Sequence, residues 1–363
     1  MTSNFLQWDI FCHVIDNHGD LGVSWRLAVD LAQRGNSVRL WIDDVSALRW
    51  MAPLGHPKVE VLKWSHAETM TTVGDVVIET FGCRIPAHME GLIAKHKAIW
   101  INLEYLSAED FVVQSHRLPS PVMHGPAKGR TKWFFYPGFV TDTGGLIREN
   151  DMAHRHSVFD RTTWLAEHAP QVLNTQMGLK RRLISLFCYE PSSLEDLLIQ
   201  LANDDIPSTL LVTQGRSQQA VIQALQRLQI PNMGSGNLQI EQLPYLSQVD
   251  YDHLLWTCDL NFVRGEDSVV RALWAGKPFV WQIYPQDDQA HHVKLDAFCN
   301  TLKMPHDLVE LHGIWNGISR KKMNALRPTQ LLNWTTWVSK IKADLGGQYD
   351  LVTQLEQFVS QKR

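Results

Sequence analysis

The sequence predicts an α/β protein made of two doubly wound domains in series. Its 363 residues correspond to about two domains of roughly 150 residues each. A composition of 44% hydrophobic and 20% charged residues is typical of a soluble protein with a large core. Short apolar segments alternate with helical patterns twice along the chain, which is typical of parallel sheets.

The first alternation begins with a strand, a turn and a helix. Residues 8–15 are apolar, residues 16–20 favour a turn, and residues 23–34 carry apolar side chains at helical spacing. Gly35 stands where a helix commonly ends, and residues 37–42 form a second apolar segment. Together these segments predict a right-handed βαβ unit.

The rest of the first half continues this pattern and then loses it. Further buried strands are predicted at residues 59–62, 75–78 and 98–102. From about residue 115, frequent Pro, Gly and Thr indicate an irregular segment that closes the domain. We therefore assign residues 1–165 to an N-terminal domain.

The second half restarts the alternation and predicts a second domain at residues 180–348. Residues 192–195 match a capping box before a helix that ends near residue 202. An amphipathic helix at 349–363 can pack back on the first domain. The remaining strands are expected at 183–188, 208–213, 238–242, 260–263 and 279–283, and the helices at 218–228, 251–258 and 268–275.

Charge and cysteine content exclude several classes of protein. The net charge of −4 provides no basic field for direct nucleic-acid binding. The five cysteines include no C-x-x-C pair, so neither a disulfide framework nor a zinc cage is indicated. The pair His291-His292 is interpreted as surface rather than as a metal site. Without signal-peptide features or a long apolar run, we expect a cytoplasmic protein without a membrane partner.

In paired α/β domains, ligands bind beyond the carboxyl ends of the strands, so a cleft between the domains is the expected site. Asp16 and Asp20 follow the first strand on a tight loop that contains Gly19. Two carboxylates on such a loop can converge on a cationic or proton-donating substrate. The alternative is that they cap the following helix and form its turn.

A second candidate lies where a strand passes through Gly265 into a helix. The start of a helix offers free N–H groups to a diphosphate, and Ser268 adds a hydroxyl. Alternatively, Asp267 or Ser268 only caps the helix. Glu266 beside an anion site is costly unless it holds a hydroxyl or balances a cation.

A third candidate is a group of aromatic and amide side chains after other strands of the second half. Such rings can stack on a base or a sugar while amides and phenols fix the polar edges of the ligand. Core packing is the alternative for Phe187. The group consists of Phe187, Tyr189, Tyr245, Gln248 and Tyr284.

Several long segments together resemble one bacterial family, the protein-arginine rhamnosyltransferases of translation elongation factor P (EarP). The resemblance extends over nearly the whole chain. It is carried by residues 8–12 (WDIFC), 16–23 (DNHGDLGV), 135–139 (FYPGF), 143–145 (TGG), 185–190 (SLFCYE), 261–268 (NFVRGEDS) and 274–281 (WAGKPFVW).

This resemblance implies a GT-B glycosyltransferase, in which two Rossmann-like domains face each other across a cleft. The donor would be dTDP-β-L-rhamnose, held mainly by the C-terminal domain, with no metal and no cofactor. The acceptor would be an arginine in a loop of the N-terminal domain of elongation factor P. Transfer would invert the anomeric carbon and activate the factor for the rescue of stalled ribosomes.

The resemblance also implies roles for single residues. Asp20 would be the general base, Asp16 its companion carboxylate and Glu266 a third acidic residue required for activity. The contacts to the nucleotide sugar would come from Phe187, Tyr189, Tyr245, Gln248, Arg264, Asp267, Ser268 and Tyr284.

Two other functions remain open from the residues alone. One is a non-catalytic protein that binds a sugar nucleotide, and the other is a GT-B transferase with a lipid or saccharide acceptor, or an epimerase. The acidic loop favours catalysis, because a protein that only binds anions does not need Asp16 and Asp20 near its ligand.

Overall fold

The computed structural model describes residues 5–15, 19–173, 180–285 and 290–363. The chain forms two compact units, Met1–Met152 with Leu345–Arg363, and Ala153–Asp344. Residues 153–165 were expected in the first domain but belong to the second unit, and residues 345–348 were expected in the second domain but belong to the first unit.

The first unit contains a seven-stranded sheet in the order β3-β2-β1-β4-β5-β7-β6. All neighbouring strands are parallel except β6 and β7. The strands are β1 (Gln7–Cys12), β2 (Ser37–Ile42), β3 (Val59–Lys63), β4 (Val76–Thr80), β5 (Ile99–Leu103), β6 (Pro119–Pro121) and β7 (Thr131–Phe135).

Helices cover this sheet, and one of them comes from the end of the chain. The helices before residue 152 are α1 (Gly19–Gln33), α2 (Leu48–Met51), a 3₁₀ helix (Trp64–Glu68), α3 (Ala87–His96) and α4 (Phe111–Ser115). The last helix, α15 (Leu351–Lys362), packs Leu355 and Phe358 into the same core as Trp8 of β1. Asp350, just before this helix, accepts a 2.7 Å hydrogen bond from Arg34.

Two predictions for the first unit are wrong. The strand expected at residues 8–15 ends at Cys12, because the backbone N–H groups of Val14 and Ile15 donate to carboxylates instead of to a neighbouring strand. The segment expected to be irregular contains β6 and β7, and β7 pairs in parallel with β5.

The second unit contains a six-stranded sheet in the order β10-β11-β9-β8-β12-β13. Only β10 and β11 are antiparallel. The strands are β8 (Arg182–Leu186), β9 (Ser208–Val212), β10 (Gly234–Ser235), β11 (Leu238–Gln242), β12 (Leu260–Arg264) and β13 (Phe279–Gln282).

The helices between residues 152 and 346 connect and cover this second sheet. The capping box expected at residues 192–195 is not formed, since Ser193 is the N-cap of α8 and its side chain makes no capping hydrogen bond. The helices are α5 (Met152–Ser157), α6 (Arg161–His168), α7 (Pro170–Leu173), α8 (Leu194–Asn203), α9 (Arg216–Leu228), α10 (Gln248–Thr257), α11 (Gly265–Ala275), α12 (Ala290–Thr301), α13 (His306–Trp315) and α14 (Pro328–Gly346).

Tryptophan is abundant, with 14 residues, and several are used in packing. Trp8, Trp41, Trp281, Trp315 and Trp334 are among the largest fully buried side chains. Within the described ranges, no helix has both the length and the apolar character needed to cross a membrane.

Candidate active site

Asp20, the expected general base, belongs to the first unit. It lies in the first turn of α1 and is only 3% exposed. Its Oδ2 accepts a 3.0 Å hydrogen bond from the backbone N–H of Ile15, and its Oδ1 lies 3.4 Å from the hydroxyl of Tyr105. Asp16, its expected companion, lies outside the described residues.

The carboxyl ends of neighbouring strands add further carboxylates to this unit. Glu79 of β4 accepts a 2.6 Å hydrogen bond from Lys132 of β7, and Glu104 after β5 accepts one from Asn102 at 2.5 Å. Burial raises the pKa of both glutamates, and the hydrogen bonds oppose that rise. The ends of β4 and β5 therefore carry two glutamates, and the positive charge of Lys132 offsets part of their negative charge.

In the second unit, Arg264 brings two of the predicted donor-binding residues together. Its guanidinium carbon lies 4.4 Å from the ring centroids of both Phe187 and Tyr189. Its Nη1 donates a 3.1 Å hydrogen bond to the carbonyl of Cys188, and the residue is 9% exposed. Cation–π contact and the hydrogen bond hold this cation in one orientation.

Tyr189 and Tyr284 form the aromatic part of this site. The backbone N–H of Tyr189 donates to the side chain of Gln282 at 2.8 Å, and its ring meets that of Tyr284 edge-on at 5.6 Å. Tyr284 is about half exposed. A ring fixed by its backbone next to an exposed ring is suited to contact with a planar or sugar ligand.

Tyr245 and Gln248 lie near the start of α10, in the same unit. Tyr245 is about half exposed, and Gln248 is the first residue of the helix. The helix contacts the aromatic group through Tyr251, whose ring meets Phe187 edge-on at 5.6 Å. Phe187 itself is half-buried, so it is not a simple core residue.

The start of α11 places Asp267 and Ser268 in the first helical turn. The helix begins at Gly265, which has a φ of 72°, and Arg264 is its N-cap. Neither Asp267 nor Ser268 is therefore the N-cap of this helix, and the capping alternative is wrong. The first-turn N–H groups of a helix have no partner within the helix and carry partial positive charge, so this turn can meet an anion.

Glu266 is balanced by Lys294, a cation that no local sequence pattern indicates. Its Oε1 accepts a 2.5 Å hydrogen bond from Nζ of Lys294 in α12. The sequence required either a hydroxyl or a cation for this carboxylate, but no local pattern identified Lys294, because it lies on another helix.

The expectation that His291 and His292 are both surface residues is wrong for the first of them. His291 is buried, whereas His292 is partly exposed. Among the residues that the structure describes, no three His, Cys, Asp or Glu side chains are grouped in a way that could hold a metal ion.

Comparison with known proteins now decides the family. The family of the elongation factor P rhamnosyltransferase EarP matches residues 8–360. The chain belongs to the EarP family. Like that family it is a glycosyltransferase.

Curated relatives and a solved structure agree with the EarP assignment. The protein-arginine rhamnosyltransferase of Pseudomonas aeruginosa is 38% identical and covers 97% of this chain and 98% of its own. The enzyme of the same name from Pseudomonas putida is 44% identical over 80% of each chain. A solved structure on EarP-mediated arginine glycosylation of translation elongation factor EF-P is 30% identical, with a TM-score of 0.65 over 99% of this chain and 100% of that one.

The fold extends beyond the EarP family. The glycosyltransferase of kitacinnamycin has a TM-score of 0.55 over 99% of both chains at 12% identity, a level that shows the fold alone. The predicted α/β fold of the GT-B class is confirmed.

Proposed function

We propose that this protein transfers L-rhamnose from dTDP-β-L-rhamnose to an arginine side chain of translation elongation factor P. The observation that carries the proposal is the near full-length similarity to the P. aeruginosa protein-arginine rhamnosyltransferase. The arrangement of acidic residues in one unit and of Arg264 with its aromatic neighbours in the other supports it.

The acceptor chemistry requires a base. An arginine guanidinium has a pKa above about 12, so its nitrogens are poor nucleophiles until a carboxylate orients the group and accepts a proton. In the proposed reaction a guanidinium nitrogen forms a bond to the anomeric carbon, the bond to the diphosphate oxygen breaks, and Asp20 takes the proton. Attack from the face opposite the leaving group inverts the anomeric carbon. Asp16 and Glu266 are proposed to assist as further carboxylates.

The donor half of the proposal lies in the second unit. Arg264, the first-turn N–H groups at Glu266 and Asp267, and the hydroxyl of Ser268 can stabilise the charge that develops on the departing diphosphate. This arrangement provides positive charge without a metal ion or cofactor. A group of aromatic and amide side chains is proposed to hold the nucleotide and the sugar. The group consists of Phe187, Tyr189, Tyr245, Gln248 and Tyr284.

The proposed acceptor indicates in which cellular compartment the reaction takes place. Because the proposed acceptor is a translation factor, we expect the reaction in the cytoplasm and an effect of the modified factor on stalled ribosomes. The proposal requires no direct contact with nucleic acid or membrane.

The test is incubation with dTDP-rhamnose and elongation factor P, followed by mass analysis of the acceptor. We expect one deoxyhexose on one arginine, and no mass change would overturn the proposal. Asp20→Asn is expected to bind donor normally in calorimetry and to lose transfer, while exposed Asp142→Asn stays active. Ser268→Ala is expected to weaken donor binding. Near-normal turnover by Asp20→Asn would reject Asp20 as the base.

A further inference from the structure

We propose that Tyr105 is a positioning residue for Asp20, and that a strained turn at Phe81 holds Tyr105 in place. The inference rests on the proposed function, in which Asp20 is the base. Neither Tyr105 nor Phe81 belongs to the predicted site.

The hydroxyl of Tyr105 and the backbone of Ile15 reach different oxygens of the same carboxylate. Tyr105 lies 3.4 Å from Oδ1 of Asp20, and the N–H of Ile15 donates to Oδ2 at 3.0 Å. Two donors on two oxygens restrict the rotation of the carboxylate plane. Asp20 is buried whereas Tyr105 is 38% exposed, so water weakens these contacts only in part.

The Tyr105 ring is held by stacking on Phe81. Their centroids are 4.4 Å apart and their planes differ by 17°. Phe81 has a φ of 58°, in the left-handed region that is an outlier for a bulky side chain. Such backbone strain persists only where the surroundings enforce it, and it is concentrated at functional sites.

The surroundings of Phe81 enforce this conformation through hydrogen bonds. Its N–H donates to the carbonyl of Leu103 at 2.7 Å, and the N–H of Gly82 donates to Oδ1 of Asn102 at 3.2 Å. The N–H of Cys83 closes the turn on the carbonyl of Thr80 at 3.2 Å. The end of β5 thus fixes the turn that follows β4.

The Thr80 side chain connects this turn to the strand that precedes Asp20. Its hydroxyl donates to the carbonyl of Phe11 at 2.8 Å. A network from β4 and β5 therefore fixes an aromatic pair beside Asp20. In the proposed reaction this orientation would direct one carboxylate oxygen toward the guanidinium proton, and placement of that kind contributes directly to rate.

The test uses full-length protein with the donor and acceptor of the proposed function. Tyr105→Phe keeps the stacked ring and removes the hydroxyl. We expect kcat to fall about threefold to tenfold, the size of a lost hydrogen bond of ordinary strength, because the contact is long at 3.4 Å. The KM for the donor and the melting temperature should stay unchanged. The acid limb of the kcat profile should move to higher pH, because a lost hydrogen bond to the charged form favours its protonation.

Two further variants complete the test. Phe81→Asn keeps a residue that tolerates left-handed backbone and removes the ring, so kcat should fall as for Tyr105→Phe. Tyr349→Phe, which removes an exposed hydroxyl in the same unit, should change nothing. An inactive Asp20→Asn with a fully active Tyr105→Phe and an unmoved pH profile would overturn the positioning role alone. A fully active Asp20→Asn would overturn the proposed base and this role with it.

Discussion

Lys294 Nζ lies 2.5 Å from Oε1 of Glu266, with about one fifth of each side chain exposed (21% and 20%). The pair joins α12 to the first turn of α11. Because the carboxylate stands in the turn proposed to receive a diphosphate, the lysine both offsets its charge and fixes its position.

This pair predicts coupled losses of activity. Lys294→Met should lower kcat by about tenfold, as the loss of a charge-assisted hydrogen bond does. Glu266→Gln should lower it further, since Glu266 is proposed to act in the reaction. The double variant should be no worse than Glu266→Gln alone, measured as rhamnosylation of the acceptor. Independent, multiplying losses would contradict a shared role.

The contacts of Arg264 predict that lysine cannot replace it. A lysine would lose the planar group that contacts the rings of Phe187 and Tyr189 and also the hydrogen bond to Cys188. Arg264→Lys should therefore weaken donor binding by about tenfold, measured by calorimetry with the nucleotide sugar. Arg227→Lys, at an exposed ion pair with Glu195, is the matched control. Equal affinities of the two variants would argue against Arg264 as a donor contact.

A buried ion pair predicts a change in stability instead. Arg271 of α11 donates to both oxygens of Asp252 in α10 at 2.8 and 2.7 Å, and both residues are buried. Arg271→Met should lower the free energy of unfolding by about 3 kcal/mol, near the low end of the range for breaking a buried pair. Arg155 still donates to Asp252 at 3.1 Å and limits the loss.

Denaturant unfolding measures this effect. Lys321→Met removes the cation of an exposed pair with Glu310, and it should cause no resolvable change. A loss for Arg271→Met as small as that of the control would show that the buried pair contributes little to the fold.

His312 predicts a loss of stability in acid. Burial lowers its pKa to about 4, and its Nε2 accepts the backbone N–H of Trp281 at 3.0 Å, which requires the neutral ring. An unfolded histidine titrates near pH 6.5. Between about pH 6.5 and 4 the unfolded chain binds a proton that the folded chain does not. The free energy of unfolding should therefore fall by up to about 1.4 kcal/mol per pH unit.

Melting temperatures across this pH range test the contribution of His312. His312→Asn should be less stable at pH 7 but should lose less stability on acidification than the natural protein. His116, whose pKa burial also lowers to about 4, continues to contribute in both proteins. Exposed His124→Gln should leave the acid loss intact, and an identical acid loss in His312→Asn would exclude His312 as a cause.

The sequence predicted strands best where apolar residues, in a run or in alternation, are bounded by turn residues. The strands at 37–42 and 238–242 have the predicted bounds. The apolar side chains of both strands are buried, and the turn residues mark where each strand stops. By contrast, β7 was missed among Pro and Gly residues, because its place is decided by pairing with β5.

The same division holds for the candidate site. The sequence by itself determined the α/β alternation and the strand-to-helix junctions that carry Asp20, Arg264 and Ser268, because ligand sites follow the carboxyl ends of parallel strands. Only the tertiary structure decided that Tyr105 contacts Asp20 and that Lys294 balances Glu266. Each of these partners lies on an element remote in sequence, and contacts of that kind are set by how strands and helices pack rather than by local pattern.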